Sequence, residues 1–140
     1  MEFGEQLNRV NSAIPKPINP TIHAVLDYGT AAYFFGVAAG LWRRNLAGGI
    51  GALVNGAAVL GLSMMTDYPG GVWKRVSFQT HGKVDAVQAA MAAAVPIAGG
   101  FADEGDAWFF FGQAANEAGV IAMTDWQQPR RRKSTKQRAA

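Results

Sequence analysis

The chain contains no cysteine, so disulfide bonds, thiolate metal ligation and cysteine nucleophiles are excluded at the outset. Formal charge is also scarce where a water-soluble fold would need it. Asp, Glu, Lys and Arg number 23 among 140 residues (13 basic and 10 acidic), and most lie before Thr21, in short connectors or after Trp126. The chain has no glycine-rich phosphate loop, no nucleophile elbow with a Ser-His-Asp set and no His-Glu-x-x-His, so the expectation is a protein that is not an enzyme. Met1 to Pro20 lacks a basic, then apolar, then small-residue order, which predicts no signal peptide. No folded reader accompanies the basic residues, which argues against nucleic acid as a partner.

Four nearly uncharged stretches fill the rest: about Thr21 to Trp42, Leu46 to Met65, Thr80 to Phe101 and Ala107 to Trp126. Each approaches the ~20 helical residues that cross ~30 Å of hydrocarbon. None carries the continuous polar face of a helix packed at a water boundary. Four such helices in so short a chain cannot bury one another, so the expected solvent is the lipid bilayer. The expected fold is an all-α membrane protein, a four-transmembrane-helix bundle. Its parts are a polar arm (1–20), a first helix hairpin (21–68), a connector (69–78), a second hairpin (79–126) and a basic tail (127–140).

Small residues four apart, Ala32, Gly36 and Gly40 and then Gly48, Ala52 and Gly56, predict two ridges of close helix approach. Trp42, Tyr68, Trp73, Trp108 and Trp126 fall near segment ends, at headgroup depth. With four crossings, the arm, the middle connector (Lys74, Arg75) and the tail (Arg130, Arg131, Arg132, Lys133, Lys136, Arg138) share one side. The other side has Arg43 and Arg44, and an acidic connector with Asp103, Glu104 and Asp106. The excess of positive charge places both termini in the cytoplasm. The basic tail is expected to meet anionic lipid, and the Pro-punctuated arm from Ile14 to Pro20 to lie on the membrane surface or against a partner.

Shifting the chain by 58 residues lays the first hairpin on the second without a gap. His23 falls on His81, Asp27 on Asp85, Ala31-Ala32 on Ala89-Ala90, Met65-Thr66-Asp67 on Met123-Thr124-Asp125, and Tyr68 on Trp126. This predicts two tandem hairpin repeats of like topology, related by a pseudo-twofold axis along the membrane normal. The pieces Ile22-His23-Ala24-Val25-Leu26-Asp27-Tyr28, Met65-Thr66-Asp67-Tyr68-Pro69-Gly70-Gly71 and Gly100-Phe101-Ala102-Asp103 resemble the SPW-repeat family of small bacterial membrane proteins, over about Asn19 to Trp126. The family's Ser-Pro-Trp signature is reduced here to Pro96, with Ala38 at the matching place in the first copy. The resemblance implies a multi-pass protein of the bacterial cytoplasmic (inner) membrane with four helices, and brings no catalytic residue.

Ionisable groups in a membrane segment are functional suspects. His23, Asp27, His81 and Asp85 are expected in the first turns of the first and third helices, and Asp67 and Asp125 at the last turns of the second and fourth. All six would gather at the cytoplasmic end. A His and an Asp four apart share a helix face. Three readings stay open: a structural pairing, a metal site of His23, Asp27, His81 and Asp85, or His23 and His81 as axial ligands of a haem or pigment. Glu117, beside Gln113 and Asn116 and matched by Val59 in the first copy, reads as a protonated packing carboxyl or a proton relay. For the whole chain the leading expectation is a non-catalytic scaffold or accessory subunit among other membrane protein subunits. A small transporter or ion- and proton-handling protein using Glu117 and the His/Asp cluster comes next, and then a metal-, haem- or pigment-binding protein.

Overall fold

The computed structural model describes residues 2–127, so the basic tail and its expected lipid contacts lie outside the described residues. The chain is all-helical: α1 (Phe3–Ala13), α2 (Pro20–Leu41), α3 (Leu46–Met65), α4 (Phe78–Ala98) and α5 (Trp108–Met123), with a 3-10 turn at Gly105–Ala107 before α5. Among the described residues there is no strand, only two isolated bridges, Ile18 with Thr124 and Thr66 with Val76.

Local sequence explains the helix starts. Asn19 accepts from the Ile22 N–H at 2.9 Å, with Pro20 at the first helical position, where its missing N–H costs nothing. Asn45 caps α3 through the Gly48 N–H, and Ser77 caps α4 through the Thr80 N–H. Proline and an asparagine cap therefore turn the arm into α2. The arm is not wholly irregular, however. Residues before the prolines form α1, whose Phe3, Leu7 and Val10 share one exposed face.

Helices α2 and α3 pack together, as do α4 and α5, and α3 meets α4. The second small-residue ridge behaves as expected: Gly48, Ala52 and Gly56 are buried. A Cβ on Gly48 would lie 2.8 Å from a Leu41 methyl, and one on Gly56 3.0 Å from the Phe35 ring. The first ridge does not take part. Ala32, Gly36 and Gly40 face outward, because Phe34, Val37, Ala38 and Leu41 occupy the inward face of α2. These four join Ala52, Ala92, Phe101, Ala107 and Phe110 in the apolar core. At this end Arg44 pairs with Asp106 at 2.7 Å, bringing the basic and the acidic connector together.

Two helices, α2 and α3, are long and apolar enough to cross a membrane. Only 28% of the apolar window of α2 and 39% of that of α3 are buried, so most of their apolar surface points outward. The same inversion runs through the bundle. Val25, Ile50, Leu53, Val54, Val87, Ile97 and Trp108 are exposed, while His23, Asn55, Ser63, His81, Gln88 and Thr124 are buried. Burying polar groups while exposing large apolar ones reverses the order that water imposes. The fourth helix is shorter than the stretch from Ala107 to Trp126: α5 has 16 residues and spans about 24 Å. Its last turn gives way at Thr124, where the backbone becomes extended.

Candidate metal centre

At one end of the bundle the heads of α2 and α4 meet the tails of α3 and α5. The i, i+4 spacing puts His23 over Asp27 and His81 over Asp85, and the packing turns both pairs inward, where all four residues are buried. His23 Nε2 lies 3.4 Å from Asp27 Oδ1 and 3.1 Å from Asp85 Oδ2. His81 Nε2 lies 3.1 Å from Asp27 Oδ2 and 3.1 Å from Asp85 Oδ2. One donor atom from each residue can be chosen so that all four lie within 4.8 Å of one another.

The far nitrogens fix the tautomers. Thr124 Oγ1 donates its only proton to the Val120 carbonyl at 2.6 Å, and Thr66 Oγ1 does the same to the Leu62 carbonyl at 2.7 Å. Each hydroxyl can then only accept from its histidine: His23 Nδ1–H donates to Thr124 at 2.9 Å and His81 Nδ1–H to Thr66 at 2.7 Å. In neutral imidazole this leaves the Nε2 lone pair pointing into the cluster on both sides, the tautomer that a metal needs. His23 Nε2 is aligned for a hydrogen bond with Asp85, but His81 Nε2 is aligned for one with neither carboxylate despite its two short separations.

These contacts recur 58 residues apart with the hairpins exchanged. The head of α2 bonds to the tail of α5 and the head of α4 to the tail of α3. The bridge partners follow suit: Asp125 N–H donates to the Ile18 carbonyl at 2.9 Å, and Asp67 N–H to the Val76 carbonyl at 2.8 Å. One layer deeper, Gln113 donates to Thr30 at 3.2 Å and Gln88 to Asn55 at 2.6 Å, again matched pairs.

The surroundings of the two aspartates differ. Tyr68 OH donates to Asp27 Oδ2 at 2.7 Å. Burial, then the Asp27 charge, pushes the Tyr68 phenol above its ordinary pKa, so it stays a donor. Trp126, its counterpart, has no hydroxyl and donates its indole N–H to the Ile121 carbonyl. It stacks against His23 and Phe78, with ring centroids 4.9 and 4.7 Å away, and closes that end of the site. Toward the bundle centre, a cavity of about 20 Å³ adjoins the cluster, lined by His23, Asp27, Thr30, Asp85, Gln113 and Glu117 among others. Glu117 is buried, and its Oε2 has no hydrogen-bond partner.

Of the residues singled out from sequence, His23, Asp27, His81 and Asp85 come together, and Glu117 borders them. Asp67 turns outward at the same end: its side chain is half exposed and lies 3.8 Å from Lys74 Nζ. Asp125 accepts from the Gln127 N–H. The inward places at these helix tails belong instead to Thr66 and Thr124, each one residue earlier. The repeated Met-Thr-Asp triplet held that signal, but attention to ionisable groups passed over it. Comparison with known proteins adds no assignment: no family model, no curated protein and no solved structure matches the chain.

Proposed function

We propose that this chain is a non-catalytic, multi-pass membrane protein of two tandem helix hairpins that holds one divalent transition-metal ion between its two His-x-x-x-Asp sets. The observation that carries the metal reading is the convergence of two Nε2 atoms and two carboxylates, with His81 1% exposed and its Nε2 aimed inward and lacking a hydrogen bond. Four such groups at this range repel one another unless protons or a metal cation lie among them, and a divalent ion balances two carboxylates. Donors about 2.0–2.2 Å from one ion stand roughly 3.0–3.5 Å apart when adjacent; the four His–Asp separations run from 3.1 to 3.4 Å, with Asp27 turning a different oxygen to each histidine. Imidazole with carboxylate suits zinc, iron, cobalt or nickel better than calcium or magnesium. A haem or pigment is less well served, since both Nε2 atoms face carboxylates at short range rather than an open planar slot.

The membrane reading rests on the apolar exterior and polar interior, and on the two spanning-length helices. The matched contacts at an offset of 58 support the tandem-repeat reading and, with it, four crossings. Both termini would then lie on the cytoplasmic, Lys- and Arg-rich side, together with the metal centre. Tying the hairpins together is work suited to a scaffold or accessory subunit of a larger membrane assembly.

Elemental analysis and zinc titration of protein extracted in mild detergent test the centre. We expect one divalent ion per chain, lost in a His23→Ala, His81→Ala double variant that remains monodisperse. A wild-type protein that neither retains nor takes up zinc has a pure imidazolium–carboxylate lock instead, and the metal reading fails. Monodisperse behaviour in plain buffer without detergent overturns the membrane reading.

A further inference from the structure

The two flanks of the cluster are not alike, and the difference falls where a ligand would need room. On the first-hairpin side, the positions matching Asn116, Glu117 and Val120 are Ala58, Val59 and Leu62, and Gln88 is held by Asn55 at 2.6 Å. The cavity of about 20 Å³ is lined mostly by α2 and α5, with Val59 and Asp85 completing its wall, and it brings the donor residues His23, Asp27 and Asp85 together with Glu117. One water needs about 10–15 Å³ and two to four polar partners. Glu117, with 9% of its surface exposed, brings a carboxylate oxygen without a hydrogen bond into such a space. Leaving a carboxyl oxygen dry and unpaired is costly, because its desolvation goes uncompensated.

We infer that the metal centre keeps one exchangeable coordination position on the Glu117 side, filled by a water or another small oxygen- or nitrogen-donor molecule that Glu117 holds by hydrogen bonding. This rests on the metal reading and adds to it. The protein supplies four donors, Tyr68, Phe78 and Trp126 close the connector end, and the fifth ligand enters by the crevice between α2 and α5. Glu117 is a positioning residue that acts through the bound water. The asymmetry of the repeats is then functional: the shared donors hold the ion, and one flank alone admits a guest.

Cobalt(II) is the probe, bound to full-length protein in detergent. Five-coordinate cobalt gives weak visible bands, and four-coordinate cobalt gives bands several-fold more intense. We expect weak bands in the wild type, weak bands in Glu117→Gln, which keeps an acceptor, and intense four-coordinate bands in Glu117→Val, which copies the other flank. Cobalt affinity should change by less than about tenfold in either variant, since no donor is lost. In the wild type and in Glu117→Gln, but not in Glu117→Val, water enriched in ¹⁷O should broaden the cobalt EPR lines. An intense four-coordinate spectrum in the wild type, or no ¹⁷O broadening, overturns the exchangeable position while leaving the metal centre standing. Absence of any histidine-dependent cobalt spectrum overturns both.

Discussion

The two halves of the cluster share their donors and differ in what surrounds them. Asp27 has Tyr68 as a hydrogen-bond donor and Asp85 has no such phenol, because Trp126 stands in the equivalent place. Val59 stands at the position matching Glu117, and the two line the same cavity. Duplicated segments keep in common what the pair must do jointly, and diverge where one copy can do a separate job. On the tandem-repeat and metal readings proposed above, holding the two hairpins on a common centre would be the joint task, and access the separate one.

The comparison breaks most sharply at the donors. Asp85→Ala should lower zinc affinity by far more than the ~10–100-fold typical of supporting residues, and Asp27→Ala should do the same, as measured by competition with a chelating dye. If one aspartate proves dispensable, the halves are not equivalent as ligands. The threonines give a finer test. Thr66→Val and Thr124→Val each remove the acceptor that sets an imidazole tautomer, and each should cost ~10–100-fold in zinc affinity, to a similar extent. A large difference between them would mean that one histidine alone orients the ion.

How much of this was legible in the sequence follows from the kind of signal each feature left. The helices showed because their apolar runs are long and nearly uncharged, and the inward histidines and aspartates because both histidines fell in one register. The α1 helix did not show: its residues are mostly polar, and the prolines after Ser12 drew attention to irregular backbone. Which small-residue ridge packs inward could not be read, since both have the same spacing and only the facing Phe34 and Phe35 decide between them. Crossed pairing of α2 with the tail of α5 depends on how hairpins dock, which no local pattern records.

Smaller effects sharpen the comparison away from the donors. The bulkier Trp126 faces Gly82, whereas Tyr68 lies in a cluster with Ala24, the residue matching Gly82. A Cβ on Gly82 would come within 2.8 Å of the indole ring. Gly82→Ala should therefore destabilise the protein by ~1–3 kcal/mol through overpacking, read from unfolding in mixed micelles. Adding Trp126→Tyr, which copies the first hairpin, should recover most of that loss. At the opposite end, Arg44→Ala removes an ion pair whose arginine side chain is 58% exposed. Its effect on the same unfolding midpoint should be slight, ~0–1 kcal/mol.

The hydroxyl of Thr124 has a consequence for the order in which the molecule is made. His23 leaves the ribosome a hundred residues before the group that accepts its Nδ1 proton, whereas His81 follows Thr66 by only fifteen. The pocket around the earlier imidazole therefore stays unfinished until α5 has been made and its tail has met α2. Its closure reports that α5 is in place.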